Sequence, residues 1–476
     1  MEPPTLTAAP QIDEVFSAQR IRARAMRSEP ATRRKNRIGS IGKWIKANRT
    51  AIHESLYADL HKPSAESDAT EIIPALTEVQ HTLAHLDDWL KPRKVDAPVT
   101  LLGTRSVIQY EPKGVCLIIS PWNYPFNLAV GPLISALAAG NTAMVKPSEF
   151  APHTASLIRR MVEELFTPDE VMVFEGGPNV SQKLLSLPFD HIFFTGSPAV
   201  GKIVMKAAAE NLSSVTLELG GKSPVLVTPS AQVSMAARRI AVAKFINNGQ
   251  TCLAPDYVLV HQSLFSSFIE ALKNETLRLF TENGKSLEES PHYARIVNQR
   301  HFQRLQHLIE DAVNRGAAAE LAGPMNDARN FMHPFILSNV PENALLMQEE
   351  IFGPVLPVLT YNNLEEALQL INQKPKPLAL YIFGSDKAEH NKIIAETSSG
   401  AVCVNDCAIH FLHINLPFGG VNHSGIGKAH GFYGFQAFSN EKPVLVQRKG
   451  LTTVSFFYPP YTQKVKQLTN WLIRLF

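Results

Sequence analysis

A cysteine, a carboxylate and a side-chain amide stand out among the residues that could do chemistry. Cys252 lies in NNGQTCLAP, Glu218 opens within VTLELGGKSP, and Asn123 sits among bulky neighbours in PWNYPFN. A lone cysteine is more often a small buried hydrophobe than a nucleophile. Its companions change that reading. A thiolate can attack a carbonyl carbon, an amide N–H can hold the oxyanion that develops, and a carboxylate can activate either the thiol or a later water. An unperturbed thiol, with a pKa of about 8.5, is only slightly ionised near neutrality, so this chemistry requires an activating environment.

The elements that must position these groups are legible from periodicity. Residues up to about Trp89 read as mainly helical, with SAESDAT offering a helix cap. The alternation in VTLLGTRSVIQYE, about Pro98 to Glu111, suggests an extended hairpin. From Gly114 strand-like and helical runs alternate: VCLIIS, NLAVGPLISALAAG, NTAMVKP, HTASLIRRMVEELF, VMVFEG and HIFFTG. That order predicts βαβ units in a doubly wound parallel sheet. A second series, with SPVLVT, VSMAARRIAVAKFINNG, YVLVH and SLFSSFIEALKNETLRLF, predicts a second α/β domain, so the fold class is α/β.

Composition narrows the function classes. With 476 residues and 45% apolar content the chain can bury two or three cores, and 46 basic against 43 acidic residues give no global charge for holding nucleic acid. The basic stretch from Arg20 to Arg49 has Ile21, Met26, Ile38 and Ile41 interspersed, which predicts an amphipathic helix with a solvated face. Four cysteines without zinc or redox spacing suit a reducing compartment. The opening MEPPTLTAAPQIDEVF shows no signal-peptide pattern, and an intracellular, cytoplasmic protein is expected. Near the C-terminus, Val465, Leu468, Leu472 and Leu475 recur at helical spacing beside Trp471 and Phe476, with Lys464, Lys466 and Arg474 among them. A short amphipathic helix over 461–476 is expected, packed on the protein or its partner or lying peripherally on a membrane.

PWNYPFNLAVGPL, AAGNTAMVKPSE, FDHIFFTGSPAVGK, VTLELGGKSP, FINNGQTCLAPDY, MQEEIFGPVLP, INQKPKPLALYIF, AETSSG and LPFGGVNHSGIG, in this order, resemble the aldehyde dehydrogenase superfamily, and its class 3 branch most closely, over roughly Ile38 to Pro460. The resemblance implies a Rossmann-type NAD-binding domain (1–97 and 112–217), an α/β catalytic domain (218–420), a small β oligomerisation element (98–111 and 421–449) and a tail from 450. It implies Cys252 as nucleophile, Glu218 as general base, and Asn123 with the Cys252 N–H as oxyanion donors. Lys146 and Glu149 are implied at the adenosine ribose, Glu350 and Phe352 at the nicotinamide, and Tyr124, Phe411, Leu412 and Phe418 along the aldehyde tunnel.

The cofactor implied is NAD, with NADP as an alternative, although GxGxxG is missing. GSPAVG stands in its place: Gly196 and Ser197 permit a tight strand-to-helix turn, Gly201 permits close helix packing, and the pyrophosphate is expected near that helix N-terminus. Pro198 departs from the more usual Thr and removes one N–H donor. Asn422 replaces a common Gly but tolerates positive φ. His423 reads as a loop residue, and His410 and His413 lack a third ligand, so no catalytic metal is expected. The implied partners are a medium or long aliphatic, or an aromatic, aldehyde and a second copy of the chain in a homodimer joined through 99–110 and 443–449. The rivals are a coenzyme A-acylating dehydrogenase, which need not keep Glu218, and a non-catalytic protein on the same fold.

Overall fold

The computed structural model describes residues 9–282, 285–450 and 452–474. In chain order its strands are β1 (Arg93–Val95), β2 (Arg105–Pro112), β3 (Val115–Ile119), β4 (Thr142–Lys146), β5 (Val171–Val173), β6 (His191–Gly196), β7 (Ser214–Leu219), β8 (Pro224–Val227), β9 (Tyr257–His261) and β10 (Ala318–Leu321). There follow β11 (Met325–Asn326), β12 (Phe331–Met332), β13 (Phe335–Ser338), β14 (Val355–Tyr361), β15 (Ala379–Phe383), β16 (Ala401–Val404), β17 (Gly425–Ile426) and β18 (Ser439–Val446). Six strands form one sheet in the order β17-β7-β6-β3-β4-β5, and seven form another in the order β10-β13-β14-β9-β8-β15-β16. Apart from the antiparallel outer strands β17 and β10, neighbours in both sheets run parallel.

Continuous apolar runs make such sheets because helices cover both faces. Every residue of β3 and β4 is buried. The helix Asn127–Ala139 packs beneath them with Ile38, Ile41 and Ile45 from the helix Ala31–Ala47. The basic stretch has a structural use. Arg34 donates to the Ala138 and Ala139 carbonyls at the end of Asn127–Ala139, while Arg22 and Arg37 share Glu29 and Glu170. Gly140, at φ 93°, closes that helix because any Cβ there would strike the Arg34 guanidinium. Met26, Ile38 and Ile41 are buried as expected; Ile21 is instead exposed.

The expected hairpin at Pro98–Glu111 is displaced. Val99–Leu101 is a short 3₁₀ turn, and β2 pairs on one side with β1 and on the other with β18, over Ser439↔Pro112 to Val446↔Arg105. Sequence alternation did not distinguish a turn from a strand, and β1 was too short to show a period. This three-stranded sheet therefore begins at Arg93. The segment 421–438 belongs elsewhere: β17 pairs with β7 in the six-stranded sheet, and Phe435 and Phe438 join its core. The strands of 99–110 and 443–449, expected to join two subunits, thus pair first with each other. The tail forms the helix Gln463–Ile473, with no fully buried residue; Leu475 and Phe476 lie outside the described residues. Among the described residues no helix is long and apolar enough to cross a membrane.

Candidate active site

Cys252 follows a chain reversal that only a few residue types allow. After the helix Val233–Phe245, Asn247, Asn248 and Gly249 all adopt positive φ, at 51°, 55° and 73°. Asparagine tolerates that region better than most residues, and a Cβ on Gly249 would run into the Gly353 carbonyl. Side-chain amides fix the turn. Asn247 Nδ2 donates to the Gln250 and Asn123 carbonyls at 3.1 and 2.8 Å, and Asn248 Nδ2 donates to Ala294 O at 2.7 Å. Gln250 Nε2 reaches Asn247 O and Arg295 O, while its Oε1 accepts from Val297 N. The NNGQ run before the cysteine is thus a polar clasp.

Three layers converge on Cys252. Asn123, from the loop after β3, donates through Nδ2 to Gln250 O at 3.0 Å, and Tyr124 Oη lies 2.7 Å from Thr251 Oγ1. Glu218 comes from the end of β7, where Gly425 pairs across from it. Both of its carboxylate oxygens are buried without a hydrogen-bond partner. Burial pushes its pKa well above the ordinary carboxylate range, opposed by nearby Lys428. Burial, then Glu350 and Glu218, push the Cys252 thiol up to about 12. Burial thus favours the neutral form of both groups, and each must give up a proton before it acts as nucleophile or base.

These residues line a cavity of about 1520 Å³. Tyr124, Phe411, Leu412 and Phe418 line it too, as do Gly196, Ser197, Glu350 and Phe352. Lys146 and Glu149 pair with each other at 2.6 Å where β4 ends and do not line it. Gly201 supports the wall from behind: a Cβ there would meet Leu219 Cδ2 at 2.7 Å. Ser197 caps the helix Pro198–Glu210 through Val200 N, and Pro198 occupies its first position, where a missing N–H costs least. Phe352 holds φ 47°, a strained value for a bulky residue. Its segment is anchored by Lys222 on the Leu346 and Glu349 carbonyls, Arg304 on the Ile351 carbonyl, and Asp256 on Ile351 N.

Over residues 2–444 the sequence matches the family model described as "Aldehyde dehydrogenase family". The chain belongs to the aldehyde dehydrogenase family. It is 45% identical to the 4,4'-diaponeurosporen-aldehyde dehydrogenase of Staphylococcus aureus, across 91% of this chain and 93% of that one. It is 40% identical to mouse aldehyde dehydrogenase family 3 member A2, across 95% and 92% of the two chains, in keeping with the class 3 resemblance. The solved "Substrate bound state of Staphylococcus Aureus AldH" superposes with a TM-score of 0.92 at 41% identity, over 97% of this chain and 99% of that one. This aldehyde dehydrogenase is an oxidoreductase for NAD(P)-dependent aldehyde oxidation, and two solved neighbours at 25% identity are complexes with NADP.

The walls fit that cofactor. The cavity reaches the carboxyl end of β6 and the capped helix start at Ser197, the place where parallel α/β sheets receive dinucleotides. The Glu350 carboxylate lies against Gly220, where a Cβ would come within 2.1 Å of it, so a side chain at this position of the aldehyde dehydrogenase would displace that carboxylate. Sequence reasoning missed several residues of the wall and one behind it, Lys428. His301 packs against Trp122 at 5.0 Å with Nδ1 buried and unpartnered, and burial with Arg304 and Arg300 lowers its pKa to about 4. Lys428 donates to the Gly419 and Gly420 carbonyls beside Glu218. Ala69 and Thr70 line the cavity from the π-helical turn Asp68–Ile72, and Ile73 lines it from the start of the α-helix that follows. No local pattern announced these, since the fold brings them in from far along the chain. The expected metal-free character was a reading of spacing, and among the described residues no three of His, Cys, Asp and Glu gather as a metal set. His410 stacks on Phe418, and His413 and His423 are exposed.

Proposed function

We propose that Cys252 attacks a medium or long aliphatic, or an aromatic, aldehyde and that Glu218 activates the water that releases the acid. The thiolate sulfur bonds to the carbonyl carbon, and the oxygen becomes an alkoxide held by Asn123 Nδ2 and the Cys252 N–H. With NAD(P)+ held there, the nicotinamide would accept the hydride that leaves the former carbonyl carbon, and the acyl group would stay on Cys252 as a thioester. Glu218 then takes a proton from water, the hydroxide adds to the thioester carbon, and the C–S bond breaks to give the carboxylic acid and the free cysteine. Lys146 and Glu149 serve the adenosine ribose, with Glu149 disfavouring a 2′-phosphate, while Glu350 and Phe352 orient the nicotinamide. Tyr124, Phe411, Leu412 and Phe418 receive the substrate's apolar part.

The carrying observation is the convergence of Cys252, Asn123 and an unpartnered Glu218 carboxyl on one cavity. Single-turnover kinetics test it. Glu218→Gln should keep a burst of NADH and then turn over slowly, whereas the wild type should form acid steadily without coenzyme A. Equal loss of burst and turnover would assign Glu218 an earlier step. The wild-type hydrolytic rate should also rise with pH as Glu218 loses its proton, and this rise should disappear in Glu218→Gln.

Two assembly readings accompany this one. Among the described residues β18 is an edge strand with unpaired backbone groups on its outer side, which supports a homodimer formed by strand addition. Light scattering showing a monomer would exclude it. Trp471 and Ile473 are 58% and 72% exposed beside Lys464, Lys466 and Arg474, which supports peripheral contact of a cytoplasmic enzyme with an anionic membrane.

A further inference from the structure

Behind Asn123, on the side away from the cavity, lies a charged cluster that the mechanism above does not use. Lys62 and Glu71 form an ion pair at 2.7 Å in which both side chains are wholly buried. The pair is poor stabilising material, since removing two charges from water costs about as much as their attraction returns. Its remaining hydrogen bonds point to another use. Lys62 Nζ donates to the Asn123 main-chain carbonyl at 3.0 Å and stands 4.2 Å over the Tyr124 ring. Glu71 Oε2 accepts from Asn127 N at 2.9 Å, holding the other end of the same loop. Asn247 Nδ2 donates to the same Asn123 carbonyl at 2.8 Å, and Asn247 N is itself held by Glu66 Oε1 at 2.9 Å.

We infer that Lys62 and Asn247, by clamping the Asn123 carbonyl from two directions, are positioning residues that aim the Asn123 side-chain amide at the reacting oxygen. The inference rests on Asn123 being an oxyanion donor. The geometry leaves the Asn123 peptide little freedom: its carbonyl has two donors, its amide reaches Gln250 O, and the Asn127 N–H at the loop's far end is fixed by Glu71. The same Asn247 amide also grips Gln250 O, so the clamp sets the Asn123 loop and the Cys252 loop in one register. A donor misplaced by a fraction of an ångström loses most of its value in the transition state, while a bound ground state hardly notices. Glu71 rides on the π-helical turn Asp68–Ile72, whose Ala69 and Thr70 face the cavity, so one extra residue per turn serves both sides.

The test replaces the ion pair as a unit, because breaking it singly would leave one buried charge unpaired. Lys62→Met with Glu71→Gln keeps the acceptor for Asn127 N. The rate of the NADH burst should fall at least tenfold, with NAD(P) affinity and aldehyde KM within threefold of wild type. Asn247→Gly, which keeps positive φ and leaves the ion pair alone, should fall likewise and guards against misfolding of the first variant. The deciding measurement is a cycle with Asn123→Ala. In that background either change should slow the burst by less than threefold, because the amide they aim is gone. Losses that multiply instead, or a wild-type burst in both clamp variants while Asn123→Ala is slow, would overturn the inference. A wild-type burst in Asn123→Ala alone would sink the oxyanion reading beneath it.

Discussion

The loop that carries Cys252 and the tail that ends the described chain are built on opposite terms. From Asn247 to Gln250 every residue is buried, three successive residues hold positive φ, and side-chain amides are spent on carbonyls of other segments. The helix Gln463–Ile473 has no fully buried residue. Local propensity suffices to write the tail, whereas the nucleophile loop exists only because Asn123, Ala294 and Arg295 arrive from elsewhere. Catalytic loss should therefore concentrate in the first region and be nearly absent in the second.

The largest effect expected is at Cys252. Cys252→Ala should retain cofactor binding by fluorescence titration and lose aldehyde oxidation to below about 10⁻³ of wild type, since no other group supplies the thiolate. Wild-type turnover in this variant would break the mechanism outright. Asn123→Ala should slow the chemical step by about 10²–10³-fold, the usual worth of one oxyanion donor. A change confined to cofactor affinity would move Asn123 out of the reaction.

Stability should follow pH in the buried region too. Glu78, whose Oε1 accepts from Gly431 N, is held up to about 7 by burial, against an ordinary 4.5. A raised acid favours the folded state while protonated, so this contribution is complete below about pH 4.5 and is lost as pH rises through about 7. Glu78→Gln keeps the acceptor without the proton, and at pH 8 its Tm should exceed wild type by roughly 2–4 °C. An identical pH dependence of Tm in both proteins would contradict this. The smallest effect belongs to the tail: truncation after Pro460 should leave small-aldehyde kinetics unchanged while reducing co-sedimentation with anionic liposomes and activity on long-chain aldehydes. A full-length protein that never binds such vesicles at low salt would remove the membrane reading.

Much of the architecture was legible because the strands of parallel sheets are buried on both faces and read as unbroken apolar runs, as in VCLII and YVLV. Cys252, Glu218 and Asn123, which meet at one cavity, stood out for a different reason: their residue types suit acyl chemistry, and each lies in a block that resembles the family, Glu218 at the end of β7 and the other two in loops. What stayed hidden depends on distance. Lys62, in the loop after the helix Arg49–Leu60, and Glu71, on the π-helical turn Asp68–Ile72, look like ordinary surface charges, and only their packing beneath Asn123 buries them. The role of Lys428 beside Glu218 was equally unreadable, because a strand and a loop more than two hundred positions apart must meet first. Three-residue β1 offered no period to detect.

The partner of β7 on its outer side is β17, a strand of two residues that the ribosome delivers about two hundred positions after Glu218. Until Gly425 and Ile426 dock, the backbone bearing Glu218 is an open sheet margin, competent to recruit another chain. Contacts of such long sequence separation close late and slowly. Gain of activity during synthesis or refolding thus waits on this long-range closure, and the interval before it is one in which this polypeptide needs shielding from its own copies.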